Sequence, residues 1–337
     1  MRERSSFATR HRRLRSSAAI RGLVRETSLS SADLIAPLFV VDDAGAAGAV
    51  DSMPGVQRFA VDGLLREVES LVGAGVQAVA VFPCIDPARK DERGSHALDA
   101  DNLACTAVRA LRREFPELAI VADVALDPYT SHGHDGVLEA DGRDVDNDTT
   151  VGILAQMACH LAAAGTSIVA PSDMMDGRVA AIRDALDSQR LAHTAILSYA
   201  AKFASSLYGP FRDALGSARN PDAPPIDKRG YQIEPANRRQ AVDDALQDIA
   251  EGADILMVKP AGWYLDVLAE LRRDCRLPLA AYQISGEYAQ IHAAAANGWI
   301  TLADARDESL LAIKRAGADM ILTYFAADAA RALQTAG

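Results

Sequence analysis

The sequence has little of several features that identify particular classes of protein. Its four cysteines are scattered without a C-x-x-C pair or a regular framework. That pattern argues against disulfides and a structural zinc site, and it favours a reducing compartment, by default the cytoplasm. No apolar run approaches the ~20 residues that a membrane span requires, and the N-terminus lacks the apolar core of a signal peptide. A net charge of −11 also disfavours a general nucleic-acid binder, whose binding surface would be basic.

The rest of the composition is ordinary for a globular protein. The chain has 337 residues, 49% of them hydrophobic and 24% charged, which suits one large domain or two smaller ones. The N-terminus is an exception to the acidic balance, because arginines crowd there. They predict either a solvated arm or an arm that embraces a partner subunit. These arginines are Arg2, Arg4, Arg10, Arg12, Arg13 and Arg15.

Short apolar runs recur along the chain, with amphipathic segments between them. Most of the runs are continuous in Val, Ile, Leu and Ala and do not alternate with polar residues, which is typical of strands buried on both faces of a parallel sheet. We predict strands at Ile35–Val41, Ala78–Cys84, Leu118–Leu126, Ser167–Ser172, Thr194–Ala200, Ala253–Pro260, Pro278–Ser285 and Met320–Ala326. We predict helices at Val61–Ala74, Asp101–Phe115, Val151–Ala164, Gly177–Leu186, Ala236–Glu251, Trp263–Arg273 and Glu308–Ala316.

This alternation of strands and helices predicts a TIM barrel, the closed (β/α)₈ fold. A doubly wound sheet is the alternative, but no G-x-G-x-x-G motif follows the first strand. The connection from Gly209 to Glu234 is too long for an ordinary loop of a barrel, and we predict that it forms a lid.

Lysine is scarce, and its placement indicates the reaction class. Only five of the thirty-five basic residues are lysines, yet Lys202 and Lys259 occur in apolar segments at predicted strand ends, where barrel enzymes carry their chemistry. A buried lysine needs a reason, since burial penalises a charged amine. Burial and a second ammonium both depress a lysine pKa, and a neutral amine attacks a ketone to form an imine. Each lysine could instead extend to the surface or pair with a buried carboxylate.

Other polar residues lie near the same predicted strand ends. Asp123, Asp127 and Asp135 lie in or beside a turn-rich segment that also contains His132 and His134. These carboxylates could hold magnesium, or the segment could be a solvated turn. Cationic groups on or beside the long connection could bind substrate carboxylates, and so could two hydroxyls at the last strand ends. These are Arg212, Lys228, Arg229, Ser285 and Tyr324.

Several long motifs resemble the porphobilinogen synthase family, also called 5-aminolevulinate dehydratase, over nearly the whole chain. They occur in the family's order, which makes chance agreement negligible. The motifs are Ser52-Met-Pro-Gly55, Asp123-Val-Ala-Leu-Asp-Pro-Tyr129, Ala170-Pro-Ser-Asp-Met-Met-Asp-Gly-Arg178, Tyr199-Ala-Ala-Lys202, Tyr208-Gly-Pro-Phe-Arg-Asp213, Met257-Val-Lys-Pro-Ala261, Tyr282-Gln-Ile-Ser-Gly-Glu-Tyr288 and Lys314-Arg-Ala-Gly-Ala-Asp319.

The resemblance implies an enzyme that condenses two molecules of 5-aminolevulinate into porphobilinogen with loss of two waters, early in tetrapyrrole and heme biosynthesis. It implies that Lys259 retains the first substrate molecule as a Schiff base and that Lys202 engages the second. Ser285 and Tyr324 are then expected to bind the carboxylate of the first molecule. The second carboxylate is expected to meet Arg212, Lys228 and Gln232, while Asp123 and Ser172 line the site and Asp123 moves protons.

The resemblance also implies metals and an assembly. Many relatives carry three cysteines for a catalytic zinc where this chain has Ala125, Asp127 and Asp135, so zinc is not expected. The chain resembles the family's aspartate variant, associated with magnesium or with no catalytic metal. Asp244 takes the place of a glutamate that holds an allosteric magnesium in some relatives, and we expect it to act through water, with Asp173 nearby.

An N-terminal arm, residues 1–30, is expected to embrace a neighbouring subunit beside a barrel domain of residues 31–337. The expected assembly is a homo-oligomer, an octamer built from dimers, with a hexamer as the alternative. Two other functions are also compatible with parts of the sequence. A lysine Schiff-base aldolase would share the barrel and Lys259 but would not need Lys202 or two carboxylate sites. A non-catalytic scaffold would explain the arm but not the buried amines.

Overall fold

The structure, a computed structural model, describes residues 10–215 and 227–336. In these two ranges the chain forms ten strands and eleven α-helices. The strands are β1 (Leu34–Val41), β2 (Gly48–Ala49), β3 (Gln57–Phe59), β4 (Ala78–Cys84), β5 (Ala119–Val124), β6 (Ile168–Pro171), β7 (Ala195–Lys202), β8 (Ile255–Lys259), β9 (Leu279–Gln283) and β10 (Met320–Thr323).

The helices lie between the strands, as the amphipathic segments predicted. They are α1 (Ala18–Leu23), α2 (Val61–Gly73), α3 (Leu103–Glu114), α4 (Asn147–Ala164), α5 (Arg178–Ser188), α6 (Gly209–Ala214), α7 (Arg238–Ala250), α8 (Leu265–Asp274), α9 (Ser285–Ala296), α10 (Leu302–Ala316) and α11 (Ala326–Ala336). Among the described residues, no helix is long and apolar enough to cross a bilayer.

Eight parallel strands close into a barrel, which confirms the predicted fold. The ring runs β1, β4, β5, β6, β7, β8, β9, β10, and it closes because β10 also pairs with β1. The short β2–β3 hairpin lies outside the ring and extends it where β3 pairs with the later residues of β1. All eight residues of β1 are buried, in agreement with its continuous apolar sequence. The alternative of an open doubly wound sheet is therefore wrong.

Strand β7 contains the main irregularity of the barrel. Leu197 and Ser198 pair with Ile255 and Leu256 of β8, but the register then shifts, so that Lys202 pairs with Lys259. The strand consequently runs two residues beyond the predicted end and carries Lys202 as its last residue.

Most predicted elements are found within a few residues of their bounds, but four helices were missed. They are α1, α6, α9 and α11, and α9 begins at Ser285, a residue predicted to end a strand. Helix α4 starts four residues early because the Asp146 side chain accepts a hydrogen bond from the backbone N–H of Thr149. Gly165, which ends α4, has a φ of 108°, in the left-handed region that lets glycine end a helix before a strand.

The two segments predicted to act outside the barrel are only partly described. In the arm, a 3₁₀ turn at His11–Arg15 and α1 contain no buried residue. Arg2 and Arg4 lie outside the described residues. So do residues 216–226 of the long connection, including Pro221, Pro224 and Pro225, and the lid stays a prediction.

Candidate active site

Lys202 and Lys259 meet at the mouth of the barrel. They are the last residues of the adjacent strands β7 and β8, and they are register partners. Each is only 5% exposed. Residues paired across parallel strands project to the same side, so the two amines face one region. The sequence predicted this convergence, and the structure brings the two residues together as expected.

The Lys259 amine lies among aromatic rings. Its Nζ is 4.7 to 5.3 Å from the centroids of four rings, which belong to Tyr199, Tyr208, Phe211 and Tyr282. Burial lowers the pKa of Lys259 to about 7, and the nearby Lys202 ammonium contributes in the same direction. A large fraction of this amine is therefore neutral near pH 7, as a nucleophile must be.

Lys202 has polar surroundings. Its Nζ donates a hydrogen bond to the backbone carbonyl of Ser172 and lies 3.5 Å from Oδ1 of Asp135. The Ser172 hydroxyl interacts with the Asp123 carboxylate, so Ser172 contacts both a predicted amine and a predicted acid. The two lysines are thus held differently, one by a carboxylate and a carbonyl and the other by ring faces.

Three aspartates at this mouth have different protonation behaviour. Burial, followed by the charge of Asp127, raises the pKa of Asp123 to about 7. Burial and the charge of Asp135 also raise the pKa of Asp127. Burial alone would raise the pKa of Asp135 too, but Lys202 and Lys228 outweigh it and hold that pKa below its usual range. The site therefore combines a carboxylate that stays ionised with one that can exchange a proton near neutral pH.

Lys228 and Tyr231 orient Asp135. Lys228 Nζ lies 3.1 Å from Oδ2 of Asp135. The Tyr231 hydroxyl accepts a hydrogen bond from the Asp135 backbone N–H at 3.3 Å and lies 3.1 Å from Nδ1 of His134. Burial and Lys228 lower the pKa of His134 to about 4, so this imidazole is neutral at pH 7. His132 makes a separate contact, since its Nε2 lies 3.0 Å from the carbonyl of Glu92.

Ser285 and Tyr324 lie just beyond the ends of β9 and β10, the two strands that follow β8 around the barrel. The Ser285 hydroxyl accepts a hydrogen bond from the Phe211 backbone N–H at 3.0 Å and donates one to the Leu207 carbonyl at 3.4 Å. The Tyr324 hydroxyl lies 3.0 Å from that of Tyr282, one of the rings around Lys259. Both hydroxyls are therefore close to the Lys259 side of the mouth, as their predicted role requires.

Gln232 and Arg212 complete the predicted set. Gln232 is buried, and its backbone N–H donates to the Lys228 carbonyl at 2.8 Å. The next residue, Ile233, donates its backbone N–H to the Lys202 carbonyl at 3.0 Å, which fixes this segment beside the second lysine. Arg212 lies exposed on α6, shortly before the segment that is not described.

Asp127 and Asp135 do not fit a catalytic metal ion in this arrangement. Lys228 Nζ lies 3.9 Å from Asp127 and 3.1 Å from Asp135, so an ammonium already interacts with both carboxylates. Ala125 is fully buried and adds no ligand atom. Among residues 10–215 and 227–336, no group of three His, Cys, Asp or Glu side chains could hold a metal directly.

Asp244 lies elsewhere, in a cavity of about 540 Å³ that Tyr231 and Gln232 also line. Burial and the charge of Asp248 raise the pKa of Asp244 to about 6. The acidic groups that share this cavity include Asp144, Asp176, Glu234 and Glu251. These oxygen donors suit a hard cation that keeps its own water molecules, which is the usual state of protein-bound Mg²⁺.

A buried ion-pair network joins this cavity to β7. Two nitrogens of Arg178 donate to the two carboxylate oxygens of Asp248, at 3.2 and 3.1 Å. The same guanidinium donates to the Ser198 hydroxyl at 3.1 Å and to the Tyr199 carbonyl at 3.3 Å. Those two residues lie where the register of β7 shifts, so the cavity wall contacts the strand that carries Lys202.

Five aromatic residues at the site were given no role there by the sequence prediction. Four are the rings around Lys259, and the fifth is Tyr231. The available signal was local for some of them, because Tyr199, Tyr208 and Phe211 flank Lys202 in the chain. The sequence around Tyr231 does not indicate a role at the site, since its contacts with His134 and Asp135 join residues that are almost a hundred positions apart.

The chain matches the family described as "Delta-aminolevulinic acid dehydratase" over residues 8–332. It is 51% identical to the delta-aminolevulinic acid dehydratase of Bradyrhizobium diazoefficiens, over 98% of this chain and 92% of the relative. It is 48% identical to that of Escherichia coli, over 95% of this chain and 96% of the relative.

Among solved structures, the chain is similar to the delta-aminolevulinic acid dehydratase (porphobilinogen synthase) of Toxoplasma gondii in complex with the reaction product porphobilinogen. The TM-score is 0.94 at 45% identity, over 97% of this chain and 92% of the other. The chain belongs to the delta-aminolevulinic acid dehydratase family.

Proposed function

We propose that this protein is a porphobilinogen synthase, a hydro-lyase of the cytoplasm that acts early in tetrapyrrole biosynthesis. It condenses two molecules of 5-aminolevulinate into porphobilinogen, with loss of two waters through lysine Schiff bases. The observation that carries the proposal is the register pairing of Lys202 and Lys259 in one buried mouth. The name of the family and the product in the Toxoplasma gondii structure support the choice of substrate.

Lys259 starts the reaction on the first substrate molecule. Its neutral amine attacks the ketone carbon, and the carbonyl oxygen takes up a proton to become a hydroxyl. Loss of that hydroxyl as water leaves an imine between Lys259 and the substrate. Asp123 can supply the proton that the departing hydroxyl needs, because its pKa of about 7 leaves it partly protonated at neutral pH. Ser285 and Tyr324 bind the carboxylate of this molecule.

Lys202 engages the second substrate molecule on the polar side of the mouth. Asp135 and the Ser172 carbonyl hold the amine in place before substrate arrives. Lys228 is bound to Asp135 in this state, and we propose that the second carboxylate draws Lys228 towards itself, together with Gln232 and Arg212. Charge-assisted hydrogen bonds of this kind are the strong ones in a dry pocket.

An aldolase accounts less well for these observations. It requires one imine-forming lysine, whereas this mouth contains two paired lysines and two separate sets of carboxylate-binding groups. A non-catalytic scaffold accounts for none of them, because burying two amines beside each other costs free energy and does not stabilise the fold. Membership of the dehydratase family agrees with the first proposal alone.

We also propose that the chain is the family's aspartate variant and uses magnesium outside the catalytic mouth. Ammonium groups already balance Asp127 and Asp135, so no cation is needed between them. The cavity of Asp244 has the oxygen donors that a hydrated magnesium ion prefers. Its contact with β7 through Arg178 offers a route by which the ion stabilises the Lys202 strand, which would make it an allosteric activator.

The arm, residues 1–30, is proposed to embrace a second copy of the chain next to the barrel domain, residues 31–337. Leu14, Leu23 and Val24 are 56%, 86% and 45% exposed, which is unusual for large apolar side chains so close together. Burying them against another barrel would stabilise an octamer built from dimers, with a hexamer as the alternative assembly.

Replacing Lys259 by alanine is expected to lower turnover by on the order of 10³-fold or more, because the imine can no longer form. Borohydride in the presence of 5-aminolevulinate should label the wild-type peptide that contains Lys259 and leave the variant unlabelled there. Lys314→Arg is the control, since Lys314 pairs with Asp33 away from the mouth. Near-normal porphobilinogen production by Lys259→Ala would refute the mechanism.

The pH dependence of imine formation is expected to follow the Lys259 amine. Only the neutral amine attacks, so single-turnover trapping by cyanoborohydride should increase with pH and reach half its maximum near pH 7. Lys202→Met removes a neighbouring ammonium, which should raise the pKa of Lys259 and move the midpoint to higher pH. A midpoint near 10, the range of an ordinary lysine, would show that the amine is solvated.

Chelators should distinguish the two metals. 1,10-Phenanthroline is expected to spare activity, whereas EDTA should lower it until magnesium is added. Asp244→Asn should raise the magnesium concentration for half-maximal stimulation by about 10-fold or more, and Asp243→Asn, on the exposed side of α7, should not. Inhibition by phenanthroline that only zinc reverses, or an Asp244→Asn enzyme with wild-type stimulation, would contradict this assignment.

The arm can be tested through the mass of the particle in solution. Leu14→Asp combined with Leu23→Asp puts charge where we expect buried contacts, so the octamer should give way to smaller species in light scattering after gel filtration. Ser16→Asp, at an exposed polar position of the same arm, should keep the wild-type mass. An unchanged mass for the double variant would remove the arm from the interface.

A further inference from the structure

A buried carboxylate next to the site has no part in the mechanism above. Glu287, in the first turn of α9, is 6% exposed. One of its oxygens, Oε2, accepts hydrogen bonds from the backbone N–H groups of Ile284 at 2.8 Å and Ala261 at 3.3 Å. The other, Oε1, accepts one from the N–H of Gly262 at 2.5 Å. One side chain thus binds the start of α9 and the loop that follows β8.

The loop that Glu287 binds follows Lys259 directly. Lys259, Pro260, Ala261 and Gly262 are consecutive, so the carboxylate holds the chain two and three residues beyond the imine-forming amine. The packing is close, since a Cβ added to Gly262 would lie 2.6 Å from Oε1 of Glu287. Any residue larger than glycine at position 262 would therefore displace the carboxylate.

The same turn of α9 is fastened to the loop after β7. Gly286 packs so closely that an added Cβ would lie 2.4 Å from the Leu207 carbonyl oxygen. Ser285 exchanges hydrogen bonds with Leu207 and Phe211, and the Phe211 ring faces the Lys259 amine. The start of α9 therefore joins the loops after β7 and β8, and Glu287 supplies the bonds to the second of them.

We infer that Glu287 is a positioning residue for Lys259. By holding the Ala261–Gly262 loop against the first turn of α9, it sets the distance between the amine of Lys259 and the hydroxyl of Ser285. This inference rests on the proposed function, in which those two groups bind the ketone and the carboxylate of one 5-aminolevulinate molecule. A fixed spacing matches the fixed length of that substrate.

The consequence differs from a loss of stability. If the loop moves relative to Ser285, the substrate can still bind by either end but no longer presents its ketone to the amine while its carboxylate is held. Displacements of about 1 Å cost up to roughly 100-fold in such reactions. The substrate concentration that half-saturates imine formation at Lys259 should increase, while the folded fraction of the enzyme stays the same.

Three substitutions separate this role from simple helix capping. Glu287→Asp keeps two acceptor oxygens and can still accept from the Ile284 N–H, but it is one methylene too short to reach Gly262. Glu287→Gln keeps the length but turns an amide nitrogen towards a backbone N–H. Gly262→Ala leaves Glu287 intact and pushes its carboxylate away. Gly152→Ala, where nothing lies within 4 Å of the added Cβ, is the matched control.

The measurement is single-turnover cyanoborohydride trapping of Lys259 on the full-length enzyme across a range of 5-aminolevulinate concentrations, with the Tm of each variant. We expect each of the three variants to raise the half-saturating concentration by about 10-fold or more, while it stays folded at the assay temperature and keeps the trapping midpoint near pH 7. Glu287→Gln combined with Gly262→Ala should be no worse than the more severe single variant, because both break the same contact.

The outcomes are distinct. Wild-type half-saturation in Glu287→Asp and Gly262→Ala would overturn the inference and reduce Glu287 to a cap of α9. A lower maximum of trapping with unchanged half-saturation would also overturn it, because that indicates loss of folded enzyme. If the wild type itself forms no adduct at Lys259, the proposed function fails and this inference fails with it.

Discussion

The structure depends on how two lysine amines are accommodated side by side in a buried mouth. An ammonium in a dry pocket is costly, and two within reach of each other are costlier. The fold resolves this by giving them different neighbours. Lys202 lies 3.5 Å from Asp135 and donates to a carbonyl, whereas Lys259 lies among four ring faces. The amine that we propose forms the first imine, that of Lys259, is the one whose pKa is lowered to about 7.

The carboxylates are divided in the same way. Lys202 and Lys228 keep Asp135 ionised, while burial and the charge of Asp127 bring the pKa of Asp123 to about 7. A site that forms and dehydrates two carbinolamines needs a permanent anion to hold a cation and a second acid that exchanges protons at working pH. One carboxyl group could not fill both roles. An ammonium close enough to keep it ionised would lower its pKa, so that it would carry no proton to give at working pH.

The sequence was sufficient for the parts of this site that depend on strand ends. A buried strand can be recognised by its continuous apolar residues, and its C-terminal end lies at the mouth of a parallel barrel. Lys202 and Lys259 were predictable for that reason, and so were the aspartates. The contacts of Tyr231 and Glu287 were not predictable, because they join loops that are distant in the chain. Helix α9 was missed because Ser285 ends an apolar run and begins a helix rich in alanine, so the boundary has no change of hydrophobicity.

The pairing of the two lysines also depends on one residue that no periodicity reveals. Up to Ser198 the partners in β7 and β8 differ by 58 positions, and from Ala201 they differ by 57. Without this extra residue, Lys202 would pair with Pro260, and Ala201 would pair with Lys259. Because side chains alternate along a strand, such a slip would turn the two amines to opposite faces.

Arg178 binds the Ser198 hydroxyl and the Tyr199 carbonyl at this irregularity and is itself held by Asp248. The ion pair that borders the Asp244 cavity thus supports the strand geometry that pairs the two lysines.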